Sequence, residues 1–175
     1  MVNRLFLGFP VPMEAGVALA ATLPRLPGRP VPSDNLHLTI RFLGDVDEVT
    51  RDRLSAALDE SELGGDFDIV LGEMGAFPRP AKASVLWIGL AHGRRELIAL
   101  NGVVEEACDL AGLEPEERPY SPHLTISRIR PEVDARPLLL SYRPEPIKWK
   151  ANELILYESR LDRGTVYVPL EQFPL

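Results

Sequence analysis

Apolar and polar positions alternate strictly enough in several short runs to mark strands, and recur at three- and four-residue steps in others to mark helices. Asn3 to Phe9 reads as a first strand. Pro12 suits the first turn of a helix carrying Met13, Val17 and Ala21, and Pro24 stops it. Pro24, Pro27, Gly28, Pro30 and Pro32 then make a loop that cannot pair as a central strand. After a turn at Ser33-Asp34-Asn35, a strand runs from His37 to Leu43, and Gly44-Asp45 is expected to break it. Asp45 or Asp47 caps a helix with Val49, Leu54, Ala57 and Leu58 inward, ended by Gly64-Gly65. Phe67, Ile69 and Leu71 alternate with Asp68 and Val70 as a strand, Pro78 and Pro80 mark a loop, and Val85 to Leu90 is a buried strand containing Trp87.

The clearest helical stripe is Leu97, Leu100, Val104, Ala107 and Ala111, ended by Gly112. A strand starting at His123 follows, and residues 131–146, broken by prolines, fit no single element. Strands around Ile147 to Lys150, Leu154 to Ser159 and Thr165 to Leu170 complete the chain, with Gly164 turning between the last two. The pattern predicts an α+β protein with residues 1–175 as a single domain. It reads as two pseudo-symmetric lobes.

One tetrapeptide occurs twice: His-Leu-Thr-Ile at His37 to Ile40 and at His123 to Ile126. On a strand, residues i and i+2 share a face. His37 and Thr39 point one way with Leu38 and Ile40 opposed to them; His123 and Thr125 repeat this against Leu124 and Ile126. The apolar pair anchors a strand and the polar pair faces something else. Each lobe is expected to present one such strand.

Two imidazoles on one cleft provide an acid and a base, since an ordinary histidine titrates near pH 6.5 and one can be neutral while the other is charged. Displacement at a phosphodiester uses that pair: the base takes a proton from the attacking oxygen and the acid gives one to the leaving oxygen. Thr39 and Thr125 hydroxyls suit non-bridging phosphate oxygens. Arg41, Arg128 and Arg130 lie just downstream as candidates for offsetting growing negative charge. The third histidine, His92, sits in an Ala-His-Gly-Arg turn and reads as a loop residue. There is no HExxH, no Cys/His cluster, no phosphate-binding glycine loop and no GxSxG, so a metal site is not expected.

Composition narrows this further. The chain is 45% hydrophobic and 26% charged, an ordinary globular balance, with no apolar run of transmembrane length. Its N-terminal residues go straight into strand-like sequence without a signal-peptide core. The single cysteine, Cys108, excludes an internal disulfide, lies among helical apolar positions as a buried inert thiol, and fits a reducing, cytoplasmic setting. A net charge of −7 argues against coating duplex nucleic acid but not against holding one phosphate.

With its flanks, the paired motif resembles the two-histidine (2H) phosphoesterases. It is most similar to the bacterial and archaeal RNA 2′,3′-cyclic phosphodiesterases, also called 2′-5′ RNA ligases. The similarity is carried by Arg4-Leu5-Phe6, Asn35 to Gly44, Phe77-Pro78-Arg79-Pro80 to Trp87, Arg118 to Ile126, and Leu156 to Leu161 with Gly164 and Tyr167. The resemblance implies a bilobal α+β fold, two pseudo-symmetric lobes of antiparallel sheet with helices packed outside and the motifs across a central cleft. It also implies metal-free, cofactor-free opening of an RNA-terminal 2′,3′-cyclic phosphate to a 2′-phosphate. His37 matches the general acid and His123 the general base. Thr39, Thr125 and Arg128 match phosphate-binding positions, with Arg130 competing for the arginine's role. Phe6 and Tyr120 match positions near the terminal nucleotide. The implied partner is an RNA terminus or cyclic nucleotide, met by a monomer without a membrane. Ligation in the reverse direction, another cyclic nucleotide substrate, and non-catalytic binding of RNA ends are the alternatives.

Overall fold

The computed structural model describes residues 2–161 and 164–175. Its elements in order are β1 (Val2–Pro10), α1 (Met13–Thr22), β2 (Arg29–Pro30), a 3-10 turn (Ser33–Asn35), β3 (His37–Asp47), α2 (Glu48–Asp59), β4 (Phe67–Arg79), β5 (Lys82–His92), α3 (Arg94–Ala111), β6 (Leu124–Val133), α4 (Arg136–Ser141), β7 (Lys148–Ala151), β8 (Glu153–Leu161) and β9 (Thr165–Pro174). This is the expected α+β class. One curled antiparallel sheet runs β7-β4-β5-β6-β3-β1-β8-β9, with β2 added beside β6.

The two motif strands meet at the centre. β3 and β6 pair at Leu38 and Leu124, the same position of each tetrapeptide. On either side the order repeats: β3-β1-β8-β9 and β6-β5-β4-β7. Each lobe therefore presents one motif strand at its inner edge. The lobes are not halves of the chain, because β8 and β9 return to the lobe begun by β1 and β3. Leu38 and Leu124 are fully buried, as are Leu7, Leu86, Ile88, Leu97 and Val104, in a core continuous across both lobes. α3 buries all five residues of its predicted stripe and ends at Gly112, whose φ of +85° favours glycine.

Several expectations needed correction. α1 does not bury Met13 or Val17, which are 82% and 60% exposed; its inward face is Ala15, Gly16 and Leu19. The Gly16 side of the helix faces Ser33 and Leu36, with room there for ordinary van der Waals contact. Gly44 does not end β3. It takes a φ of +73° in a bulge, where Leu5 pairs with Gly44 but Phe6 with Phe42, so Leu43 is the extra residue. Asp47, the later of the two candidate caps, accepts from the Thr50 N–H at 2.8 Å and starts α2. Val49 is exposed, and the helix stops at Asp59, before the glycine pair. Pro78 lies within β4 rather than a loop. There β4 pairs only with β5, so an edge without a donor costs no ladder bond. Residues 131–146 resolve into the end of β6 and α4.

The proline-rich loop is tied across the second motif strand. Arg29 and Pro30 pair with Arg128 and Ser127, Val31 N–H donates to Ile126 O, and the buried Ser127 hydroxyl donates to Pro27 O at 2.6 Å. Proline tolerates this place because it is a two-residue edge. Between the loop and α1 lies an apolar cavity of about 510 Å³ lined by Leu19, Leu23, Leu26, Val31, Leu36 and Ile126, on the helix side of the sheet.

Candidate active site

The Leu38–Leu124 pair fixes the geometry of the four polar motif residues. One step either way along antiparallel strands brings His37 opposite Thr125 and Thr39 opposite His123. The two histidines then lie on one diagonal of a four-residue patch. The threonines lie on the other diagonal. All four are half-buried on the face opposite the core, while Leu38, Ile40, Leu124 and Ile126 are at most 2% exposed. Beyond the central pair the strands separate, which opens the cleft.

Each imidazole is held in the same way. His37 Nδ1 lies 2.8 Å from Asn35 O, and His123 Nδ1 lies 2.7 Å from Ser121 O. A carbonyl oxygen only accepts, so Nδ1 carries the hydrogen in both rings. Nε2 is left either as a lone pair or as a second N–H, the two states a base and an acid require. Both contacts reach two residues back, a local feature of Asn-x-His and Ser-x-His that sequence reasoning missed.

Aromatic rings frame each histidine. His37 sits 4.8 Å from Phe6 and 4.7 Å, edge-on, from Tyr167. His123 sits 5.1 Å from Phe77, also edge-on, and 6.2 Å from Trp87. Burial among these rings lowers both imidazole pKa values from the ordinary 6.5. The hydrogen-bonded carbonyls oppose this, and the Arg128 charge adds to it. His37 is further lowered by His123.

Arg128 acts on both histidines although its offset from His123 is odd. A bulge explains this. Trp87 pairs with Thr125 but Leu86 pairs with Ser127, so Ile126 is an extra residue and strand parity flips after it. Ser127 is then buried and Arg128 and Arg130 are exposed. Arg130 shares that parity, yet only Arg128 perturbs the imidazoles.

Arg41 is not in the site. Its Nε lies 2.7 Å from Glu105, an ionic contact whose N–H is not aimed at the oxygen. Its other nitrogens donate to Phe42 O and Glu114 O and approach Glu116. Phe6, expected beside the nucleotide, is 2% exposed: its ring braces His37, Tyr157 and Tyr167 and has no free face. Tyr120 donates its hydroxyl to Thr39 O at 2.9 Å, and burial raises its pKa. It ties the approach to the second motif onto the first motif strand, which leaves the hydroxyl committed. His92 is exposed at the far end of the β4–β5 hairpin. Cys108 is 1% exposed, and burial pushes its thiol up to about 11. Among the described residues, no three His, Cys, Asp or Glu side chains group as metal ligands. No helix among them is long and apolar enough to cross a membrane.

A curled α+β sheet with paired His-x-Thr strands meeting at its centre defines a two-histidine phosphoesterase. The comparisons agree. The chain belongs to the 2′-5′ RNA ligase superfamily, whose family model matches residues 18–163. It is 32% identical to the RNA 2′,3′-cyclic phosphodiesterase of Escherichia coli (strain K12) over 99% of this chain and 97% of that protein. It is 31% identical to the protein of that name from Aquifex aeolicus, covering 86% of this chain and 84% of that one. Among solved structures, a phosphoesterase superposes with a TM-score of 0.84 at 30% identity, covering 100% and 99% of the two chains. Escherichia coli LigT complexed with 3′-AMP superposes with a TM-score of 0.80, also at 30% identity and with the same coverage.

Proposed function

We propose that this protein hydrolyses RNA-terminal 2′,3′-cyclic phosphates to 2′-phosphates by acid–base catalysis between His37 and His123, without a metal. The observation that carries the reading is the diagonal of two histidines about the Leu38–Leu124 pair, each with Nδ1 occupied and no hydrogen-bond partner to Nε2 among the described residues. The neutral imidazole takes a proton from water as its oxygen bonds to phosphorus. The bond from phosphorus to the 3′ oxygen breaks in line, and the charged imidazole protonates that oxygen. The first imidazole ends charged and the second neutral, and one exchange with solvent resets them. Thr39, Thr125 and Arg128 hold the phosphate oxygens. The relatives named as RNA 2′,3′-cyclic phosphodiesterases support the substrate class.

The resemblance assigns His37 as acid and His123 as base. Burial, with the charges of Arg128 and His123, disfavours the protonated form of His37 in the free protein. The anionic substrate supplies the opposing charge that favours the protonated form once it is bound. The polarity is tested with an aryl phosphodiester, whose leaving oxygen needs little protonation. The acid variant recovers most of its lost activity on that substrate and the base variant does not.

The main test is a 2′,3′-cyclic-ended oligonucleotide incubated with the protein in EDTA, its product chromatographed against 2′- and 3′-phosphate standards. A 2′-phosphate is expected. A 3′-phosphate rejects the orientation, and no product under any condition rejects the activity.

A further inference from the structure

The short strand β2 sits where the two motif strands part. β5 pairs along one edge of β6 from Leu124 to Arg128, so β3 and β2 share the other edge. Both run antiparallel to β6. Leu38 of β3 pairs with Leu124, and β2 takes up the same edge further along, with Pro30 opposite Ser127 and Arg29 opposite Arg128. Directly opposed residues on paired strands share a face. Ser127 is fully buried and Arg128 is exposed, so Arg29 stands on the cleft face beside Arg128. The patch thus has a third row: beyond His37 and Thr125 come Arg29 and Arg128.

The other end of the patch has no such row. On β3, Thr39 pairs with Gly8 and Arg41 with Leu7, so Ile40 is a bulge and Arg41 turns away, its side chain 10% exposed. Like charges placed directly opposite each other on two strands weaken the pairing. Yet among the described residues neither Arg29 nor Arg128 has a carboxylate partner. The backbone holds them together regardless. The Ser127 hydroxyl donates to Pro27 O at 2.6 Å and Val31 N–H donates to Ile126 O at 2.9 Å. Gly28, with a φ of +81°, presses so close to Arg128 O that a Cβ there would stand 2.3 Å from it. Two unpaired guanidiniums fixed side by side in a chain of net charge −7 make a local site for anions.

The two arginines are not equivalent. Arg128 acts on both imidazoles and Arg29 on neither, which sets Arg29 further from the reacting phosphate. An RNA end differs from a cyclic mononucleotide by a second anion, the phosphodiester on the 5′ side of its last ribose. We infer that Arg29 binds that phosphodiester, so that the site selects RNA ends over free cyclic mononucleotides. This rests on the proposed function and deepens it. Arg128 holds the cyclic phosphate between the histidines, and Arg29 takes the next phosphate of the chain.

The test uses two adenosine dinucleotides ending in a 2′,3′-cyclic phosphate, one with an ordinary phosphodiester linkage and one with a neutral methylphosphonate linkage. The readout is the ratio of their kcat/KM values, charged over neutral. In the parent this ratio is expected to be roughly ten, the scale of one hydrogen bond to a charged group. Arg29→Ala and Arg29→Gln, which keeps the apolar stem, are expected to bring it close to one, and Arg29→Lys to keep part of it. Arg128→Ala is expected to lower both rates and leave the ratio in place. A parental ratio near one overturns the inference. So does a ratio that survives in Arg29→Ala or Arg29→Gln, whether both rates fall together or neither does. If the parent hydrolyses neither dinucleotide, the proposed function fails. Calorimetric binding of the two dinucleotides ending in a 2′-phosphate then decides the subsite separately. Tighter binding of the charged linkage that Arg29→Gln abolishes sustains it, and equal or absent binding rejects it.

Discussion

His37 and His123 each commit Nδ1 to a carbonyl and have no partner to Nε2 among the described residues, so in the proposed mechanism losing either ring removes one half of a proton-transfer pair. His37→Ala and His123→Ala should each lower turnover by roughly 10²–10⁴, the scale of a lost general acid or base. A variant retaining parental activity rejects the assignment. Both free-protein pKa values lie below 6.5, chiefly through burial. The kcat/KM profile, which reports the free protein, should therefore be bell-shaped with its optimum below pH 6.5. The kcat profile should lie to the alkaline side of it, because bound phosphate favours the protonated rings. An alkaline kcat/KM optimum means the site favours the charged imidazoles after all. Arg128→Ala should lower kcat/KM more than Arg130→Ala, because only Arg128 acts on both histidines. The reverse order in steady-state kinetics makes Arg130 the phosphate-holding residue.

At the scale of elements, the bulge after each motif decides which downstream side chain reaches the cleft. Simple alternation puts Arg41 beside His37 and Thr39; the Ile40 bulge turns it to α3 and the loop before the second motif. Arg41 is thus a clamp between layers. Arg41→Ala should destabilise the fold by about 2 kcal/mol. That is less than the cost of breaking a fully buried ion pair, because Glu105 and Glu116 keep some solvent. Urea unfolding measures this, and the conservative Arg41→Lys should recover part of it. A variant as stable as the parent, with kcat/KM reduced as strongly as in Arg128→Ala, would restore Arg41 to the site.

For the whole molecule, the active patch exists only where the two lobes meet. β9, from the end of the chain, supplies Tyr167 to His37, while β4 and β5 supply Phe77 and Trp87 to His123. In the proposed mechanism the imidazole pair, the threonines and Arg128 cover proton transfer and charge within one patch. Activity after exhaustive dialysis against EDTA should stay within about twofold of the untreated protein, since proton transfer by the pair needs no other group. A loss of tenfold or more, restored by adding back one divalent cation, would place a metal in the reaction.

Much was legible along the chain because it depends on neighbours in sequence. Alternation around Leu38 and Leu124 showed which side of each motif strand is buried. The α3 stripe and Gly112 bounded the longest helix, and the repeated tetrapeptide exposed the histidine and threonine pairs. The rest depends on partners far away in the chain. Pairing of β1 with β3 and of β5 with β6 sets the two bulges, and a one-residue register shift reverses every side chain beyond it. That shift brings Arg128 to the cleft and turns Arg41 away from it, the reverse of what alternation alone assigns. Burial of Phe6 against Tyr157 and Tyr167, and capture of the Tyr120 hydroxyl by Thr39, likewise follow from strands and loops that meet only on folding. The sequence alone thus determined the residue types and the faces of the motif strands. Tertiary structure decided which neighbours reach the cleft, because strand register is a property of two segments and not of one.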